Sequence, residues 1–187
     1  MRVDRPPRRP GAWRAPPTWS ATAVTSTGCR QAPPGQARHG SGNGQEAQRA
    51  RLALDLAADG RDVAVVSSGD PGVFAMASAV VEELHRCAGD PRYAALDVAV
   101  VAGVTAATAA AARRGAILGH DFCVVSCSDL HKPLEVVERR VDAAARADFV
   151  VALYNPASSA RPHQLEVILS AITRHRHPDT PVVVARD

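Results

Sequence analysis

The chain has 187 residues, of which 46% are hydrophobic and only 4% aromatic, and its formal net charge is +3. This length suffices to bury the core of one domain or of two small ones. The basic excess lies in residues 1–40, which hold seven arginines and one aspartate, whereas the remainder has 15 basic and 18 acidic residues. A slightly acidic body without interleaved aromatic and basic residues argues against a nucleic-acid groove.

The cysteines and the apolar stretches indicate the compartment. Cys29, Cys87, Cys123 and Cys127 form no CxxC pair and have no metal-ligand spacing with histidine. This usage is typical of reduced cytosolic thiols and predicts no metal site. No stretch reaches the length of a membrane span, and the Arg- and Pro-rich start lacks the apolar segment of a secretory signal. We therefore expect a cytoplasmic protein with no membrane partner.

The first segment, residues 1–44, is crowded with Pro, Arg, Gly, Ser and Thr and has no sustained period. Such a composition buries too little apolar surface to offset the entropy of ordering, so we predict a disordered arm. Gly40-Ser41-Gly42-Asn43-Gly44 imitates a dinucleotide-binding glycine loop. Because no strand is predicted before it, it carries little weight as a phosphate site.

Residues 45–117 alternate between helical periodicity and short apolar runs, a pattern typical of α/β structure. In chain order the predicted elements are a helix from Gln45 that ends at Asp59-Gly60, a strand at Val63–Val66, a helix over Val73 to Cys87, a strand at Val98–Val101 and a helix over residues 106–114.

Residues 118–187 continue the alternation. The predicted elements are a strand at Phe122–Ser126, a helix over Leu134 to Ala147, a strand at Phe149–Tyr154, a helix over Gln164 to His175 and a strand at Val182–Ala185. Because strands that alternate with helices need crossover connections, the fold class is α/β with mainly parallel sheets flanked by helices.

The junction after the strand at Val63–Val66 is the first candidate ligand site, since ligands of open α/β sheets bind outside the carboxyl ends of the strands. Gly69 and Gly72 permit positive φ or close backbone approach, and Pro71 suits a first helical turn. Asp70 places a carboxylate beside free N–H groups at a helix start, where it can cap the helix or bind a ligand hydroxyl or amine. The alternative is an ordinary βα turn with an N-cap.

Other strand ends carry further candidates. Thr105 followed by Ala106 would form a small floor with one hydroxyl that admits a flat ring, or alternatively an N-cap before close-packing alanines. Asp129 and His131 follow a strand and could do acid/base work, with His120 as a similar candidate; the alternative is solvated loop residues. No Ser-His-Asp elbow, Walker loop or cluster of metal ligands is present, which disfavours hydrolases, NTPases and metalloenzymes.

Five motifs, taken in order, resemble the tetrapyrrole methylase family, with similarity from about Pro33 to Asp187. They are SSGDPGVFAM at 67–76, AGVTAA at 102–107, RRGAILGHDF at 113–122, SDL at 128–130 and ALYNP at 152–156. The segments GHDF and LYNP are most similar to the ring-contracting branch, which methylates precorrin-3B at C17 in cobalamin biosynthesis.

The resemblance implies two α/β domains that hold S-adenosylmethionine in the cleft between them, a tetrapyrrole substrate and a homodimer. The implied cofactor contacts are Ser68, Gly69, Asp70 and Val73 at the methionine and ribose end, Thr105 and Ala106 through backbone and hydroxyl, and Tyr154 beside the adenine. Relatives in this branch methylate C17 and promote loss of the C20 bridge. The second step could use an acid/base group, for which His120, Asp129 and His131 are hypotheses.

The chain also departs from the family pattern. The family's initial strand and Gly-x-Gly loop have no counterpart, residues 1–32 look unrelated or out of frame, and Leu134 stands where a Trp is expected. The chain stops at Arg186-Asp187, where relatives continue. The resemblance therefore implies incomplete first and second domains, a partial N-terminal α/β domain at 45–117 and a partial C-terminal α/β domain at 118–187. This leaves two alternative functions open: an inactive ligand-binding or interaction module, and a flavodoxin-like nucleotide binder that recognises phosphate at residues 67–72.

Overall fold

The chain forms two compact units, Met1–Thr105 and Ala106–Asp187, in a computed structural model. The residues that the structure describes are 2–4, 18–22, 35–130, 132–156 and 162–185, with side chains from residue 35 onward. Within these ranges there are seven strands and five helices. No helix among them is both long and apolar enough to cross a bilayer.

The first unit holds one five-stranded sheet and two helices. Their bounds are β1 Arg2–Asp4, β2 Thr18–Thr22, β3 Ala37–Ser41, α1 Glu46–Ala58, β4 Val63–Val66, α2 Met76–Arg86 and β5 Asp97–Ala99. The strand order is β3-β2-β4-β1-β5. Strand β2 runs parallel to β3 and β4, whereas β1 runs antiparallel to β4 and β5.

Small and branched apolar side chains form the core of this unit. Ala53 and Leu54 of α1, Val63 and Val65 of β4 and Val80 of α2 are fully buried. Alanine on the inner face of α1 lets the helix lie close to the sheet. Val63 and Val65 both point into the helical layer, because alternate side chains of a strand lie on the same face of the sheet.

The second unit has a two-stranded sheet and three helices within its described residues. Their bounds are α3 Ala106–Arg114, β6 Phe122–Ser126, α4 Leu134–Arg146, β7 Val150–Tyr154 and α5 Gln164–Thr173. Strands β6 and β7 are parallel, and α4 and α5 pack on them through fully buried apolar side chains. The members of this core with no exposed surface are Cys127, Val137, Val141, Ile168 and Ala171.

The structure differs from the sequence prediction in the first segment. Strands β1, β2 and β3 lie within residues 1–44, for which the composition predicted disorder; much of that segment lies outside the described residues. Strand β3, Ala-Arg-His-Gly-Ser, has no apolar alternation, and its pairing comes from β2. Gly40 and Ser41 of the glycine-rich run at 40–44 therefore belong to a strand. Local composition could not reveal this, because strand pairing is a long-range interaction.

Two predicted strands are also corrected. Strand β5 ends at Ala99, and Val101 beyond it is 58% exposed. The run at 182–185 is not in a strand, and Val182 and Val184 are 75% and 86% exposed. An apolar run becomes a strand only when a neighbouring strand accepts its hydrogen bonds, and periodicity does not identify that neighbour.

The division between the two units also differs from the predicted boundary after residue 117. Helix α3 belongs to the second unit, so the boundary lies at Thr105. Periodicity locates a helix in the chain, but it does not say to which compact unit the helix belongs.

Candidate functional site

The turn after β4 is organised by Asp70. Its Oδ1 atom accepts a hydrogen bond from the Gly72 N–H at 2.7 Å, and its backbone carbonyl accepts one from the Val73 N–H at 3.1 Å. Gly69 adopts a φ of +70°, as predicted for a glycine that needs positive φ, and Phe74 has a φ of +51°. Because a residue with positive φ cannot be part of a right-handed helix, Phe74 prevents an earlier start. Helix α2 therefore begins at Met76 rather than at the predicted Val73.

Asp70 also joins this turn to the loop that follows β5. Its Oδ2 atom accepts a hydrogen bond from the Gly103 N–H at 2.9 Å. At this point the two backbones touch: a Cβ on Gly103 would lie 2.2 Å from the Gly69 carbonyl oxygen. Only glycine fits there, because real Cβ atoms do not approach an oxygen so closely.

We call residues 68–73 and 103–105 the Asp70 corner. A Cβ on Gly69 would lie 3.8 Å from Thr105 Cα, so the two loops run side by side beyond their contact at Gly103. The structure thus brings together the predicted site residues of the first unit. These are Ser68, Gly69, Asp70, Val73 and Thr105.

Electrostatics favour a cationic ligand at the Asp70 corner. The N–H groups of Gly103 and Gly72 stabilise the carboxylate and lower the pKa of Asp70, with a smaller opposing effect of burial. The side chain is therefore ionised at neutral pH. Ser68 and Gly69, directly before the carboxylate, are exposed. A negative charge at an exposed turn suits a ligand that carries a cationic group.

Gly103 is the residue of this corner that sequence reasoning missed as a site member. The motif AGVTAA marked its position, but not its hydrogen bond to a carboxylate 33 residues earlier. A glycine in the turn after the strand predicted at Val98–Val101 was the available signal.

In the second unit, Tyr154 at the end of β7 contacts the start of α3. Its Oη atom accepts a hydrogen bond from the Ala107 N–H at 2.7 Å. Ala106, another predicted cofactor contact, is the first residue of that helix. Sequence reasoning assigned Tyr154 to the adenine through the family motif, and the role of its hydroxyl toward the backbone was not foreseen.

The carboxyl ends of β6 and β7 carry polar groups that bond to one another. The buried Ser126 Oγ accepts hydrogen bonds from the Ser128 N–H at 3.4 Å and from Asn155 Nδ2 at 3.5 Å. Gln164, the first residue of α5, is buried and donates from its Nε2 to the Cys127 carbonyl. These bonds hold the strand ends and the start of α5 in one arrangement.

The predicted acid/base residues lie apart. His120 precedes β6, whereas Asp129 follows it, and both are exposed. A five-residue strand spans roughly 13 Å at about 3.3 Å per residue, so β6 separates the two side chains. His131 lies outside the described residues. The described residues contain no group of three or more His, Cys, Asp or Glu that could hold a metal ion.

Comparison with known proteins places this geometry in context. The family described as Tetrapyrrole (Corrin/Porphyrin) Methylases matches residues 16–187. The cobalamin biosynthesis protein CobIJ of Mycobacterium tuberculosis is 52% identical over 153 residues, which are 82% of this chain and 29% of that protein. A precorrin-3B C(17)-methyltransferase of Sinorhizobium is 48% identical over 153 residues, which are 82% of this chain and 59% of that protein.

A solved structure is similar as well. The crystal structure of the methyltransferase CobJ matches with a TM-score of 0.81 and 43% sequence identity, covering 87% of this chain and 66% of that one. The chain therefore spans less than two thirds of the length of each of these relatives. The likeness nevertheless extends over most of the chain, including both units.

Proposed function

This chain belongs to the tetrapyrrole methylase family, and from that premise we propose that it serves the S-adenosylmethionine-dependent methylation of precorrin-3B, or its cobalt form, at C17. The proposal includes the ring contraction that accompanies this methylation in cobalamin biosynthesis. The name of the Sinorhizobium relative supports the substrate and the position of methylation. The identity of 48% over most of the chain supports the transfer of that assignment.

The observation that carries the proposal is the Asp70 corner. When bound, S-adenosylmethionine supplies a methyl group that is already activated on a sulfonium sulfur. Ser68, Gly69, Asp70 and Val73 would hold its methionine and ribose end, and Thr105 would add its hydroxyl and backbone. In the second unit, Ala106 and Tyr154 are the proposed contacts. Asp70 keeps the corner closed and its charge negative, which favours a cationic ligand.

Little covalent chemistry is required of the protein for the methyl transfer. Its contribution is to align donor and acceptor carbon, and alignment alone can lower a barrier by several kcal/mol, roughly 7–11 in the best intramolecular cases. Ring contraction needs a proton to move, for which His120, Asp129 and His131 stay our proposed acid/base residues. Because β6 separates His120 from Asp129, these two would act at different atoms of a substrate if both take part.

The partners and the compartment follow from the same assignment. We propose a tetrapyrrole substrate, a homodimer and a cytoplasmic location, with neither nucleic acid nor membrane as a partner. Sedimentation of the purified chain tests the oligomeric state directly, and a monomer at all accessible concentrations would contradict the proposed dimer.

Calorimetry with S-adenosylhomocysteine is the first test of the proposed function. Micromolar binding is expected, because the product shares every group of the donor except the methyl and its positive charge. Inorganic phosphate and a nucleoside monophosphate serve as controls, since a flavodoxin-like nucleotide binder would prefer them. No binding of S-adenosylhomocysteine at millimolar concentration would refute the proposal and favour the inactive module.

Turnover of precorrin-3B, followed by mass spectrometry, is the second test. The expected product gains one methyl group and has a contracted ring. An Asp129→Asn or His131→Ala variant that forms contracted product at the normal rate would remove that residue from the acid/base hypothesis. Methylation without contraction in such a variant would instead support it.

A further inference from the structure

We infer that the Tyr154 hydroxyl is a positioning group that holds the first turn of α3, and with it Ala106, in the arrangement that cofactor binding needs. This inference rests on the proposed function, because Ala106 is a proposed cofactor contact. It assigns to Tyr154 a role in which the phenol oxygen, rather than the ring alone, is essential.

The contact satisfies a group that a helix cannot satisfy by itself. The first N–H groups of any helix lack a carbonyl partner within the helix. Ala107 is the second residue of α3, and its N–H donates to Tyr154 Oη at 2.7 Å in a partly buried position. The side chains of Ala106 and Ala107 offer no acceptor of their own. A hydroxyl from another element therefore satisfies this N–H.

Helix α3 needs such support because it is short. It has nine residues, AATAAAARR, and only Ala111 in it is buried. Isolated helices shorter than about 12 residues are marginal in water even when they are rich in alanine. Contacts with the rest of the unit must hold its first turn, and the bond to Tyr154 is a direct one.

Tyr154 is well placed to impose a position, because its own backbone is fixed. It is the last residue of β7 and pairs in register with Ser126 of β6. Its carbonyl also accepts a hydrogen bond from the Cys127 N–H at 2.8 Å. The phenol thus projects from a strand end whose backbone is paired with β6 and hydrogen-bonded to the residue that follows β6.

Loss of the hydroxyl would act on Ala106 through the chain. Without its acceptor, the partly buried Ala107 N–H is left unsatisfied, which favours fraying of the first turn. The backbone groups of Ala106, one residue earlier, then lose their fixed orientation toward a ligand. A role of Tyr154 confined to stacking beside adenine would instead survive removal of the hydroxyl, since the ring remains.

Tyr154→Phe separates these two roles, and Tyr93→Phe is the matched control because the chain has only two tyrosines. Tyr93 lies in the first unit, where its hydroxyl bonds to Asp55 at 2.5 Å. We expect Tyr154→Phe to speed amide exchange of Ala107 by about tenfold and to weaken S-adenosylhomocysteine binding by a similar factor. Both quantities should be unchanged in Tyr93→Phe, measured by NMR and calorimetry below the unfolding temperature.

The outcomes are distinguishable. Wild-type affinity in Tyr154→Phe, with or without faster exchange at Ala107, overturns the positioning role and leaves the proposed function intact. Absence of binding by the wild-type chain overturns the proposed function. If Tyr154→Phe does not fold, exchange in the wild-type chain decides: an Ala107 amide as unprotected as that of an exposed loop overturns the inference, and strong protection supports it.

Discussion

The Asp70 corner and the end of β7 both hold backbone in place with a side chain, but they do so by different means. At the corner an ionised carboxylate accepts hydrogen bonds from N–H groups of two loops. These loops touch so closely that position 103 admits only glycine. At the end of β7 a neutral phenol oxygen accepts one N–H at the start of a helix. The corner should therefore respond to charge, pH and added volume, whereas the β7 end should respond only to loss of the acceptor.

This difference teaches how the predicted site residues act. Motif resemblance marked Asp70 and Tyr154 as cofactor contacts, yet in the structure both side chains bond to this chain's own peptide groups. Their first effect is to shape the backbone around a ligand. Substitutions can therefore test whether each of these residues acts by holding the backbone around a ligand or by contacting the ligand directly.

Gly103→Ala should have the largest effect. Its Cβ would lie 2.2 Å from the Gly69 carbonyl oxygen, so the two loops of the corner must move apart. We expect loss of measurable S-adenosylhomocysteine binding and a fall in unfolding free energy of about 1–3 kcal/mol, as for other overpacked sites. Gly89→Ala is the control, because a Cβ there meets nothing within 4 Å. Wild-type binding by Gly103→Ala would show that the corner does not form the site.

Asp70→Ala should weaken binding next most strongly, because it removes the acceptor for both N–H groups and the negative charge at once. A rise in Kd of at least about tenfold is expected, since bonds to charged groups are roughly twice as strong as neutral ones. Asp90→Ala is the matched control: Asp90 accepts the Arg92 N–H at 3.0 Å within its own loop. An equal effect of both variants on Kd would contradict a special role of the corner.

The pH dependence of stability should sharpen the contrast between the two regions. The folded-state pKa of Asp70 is lowered by the N–H groups of Gly103 and Gly72. Its stabilising contribution is therefore complete above the unfolded pKa of about 3.9 and is lost as pH falls through the lower folded pKa. Denaturant unfolding should show Asp70→Asn less stable than wild type at pH 7, with a difference that shrinks below pH ~4. For Tyr154→Phe the difference should stay constant over the same range.

The smallest effect is expected at a third place, between α4 and α5. Asp142 accepts hydrogen bonds from His175 Nε2 at 2.9 Å and from Arg174 at 3.0 Å, and these partners lower the pKa of Asp142. Both ion pairs are partly exposed to solvent, and such pairs contribute little to stability. Asp142→Asn should lower the unfolding midpoint slightly and leave S-adenosylhomocysteine affinity unchanged. A large change in affinity would mean that ligand binding depends on this helix pair.

Much of the local structure was predictable from the sequence. The strand at Val63–Val66 has the predicted bounds. Gly60, at a φ of +87°, ends α1 as its C′ glycine. The N–H groups of residues 60 and 61 donate hydrogen bonds to carbonyls in the last turn of that helix. Helix α3 also begins and ends where alanine content and Gly115 indicated. These features depend on residues within a few positions of one another, which is why a linear pattern could reveal them.

The candidate site was only partly predictable. The five motifs located Asp70, Thr105 and Tyr154, and the family match confirms the resemblance on which their selection rested. Their roles as cofactor contacts stay predictions. The structure added their partners Gly103 and Ala107, because each hydrogen bond joins residues more than 30 positions apart.

By itself, the sequence determined the order of helices and strands from Glu46 to Thr173, the turn chemistry after β4 and the family. Only the tertiary structure decided that β3 forms on β2, that Val182–Ala185 stays outside the sheets, and that Asp70 closes on Gly103. Periodicity, caps and turns are local properties of the chain. The choice of a strand's neighbour or of a carboxylate's second donor depends on which distant segments the packed core brings within hydrogen-bonding distance.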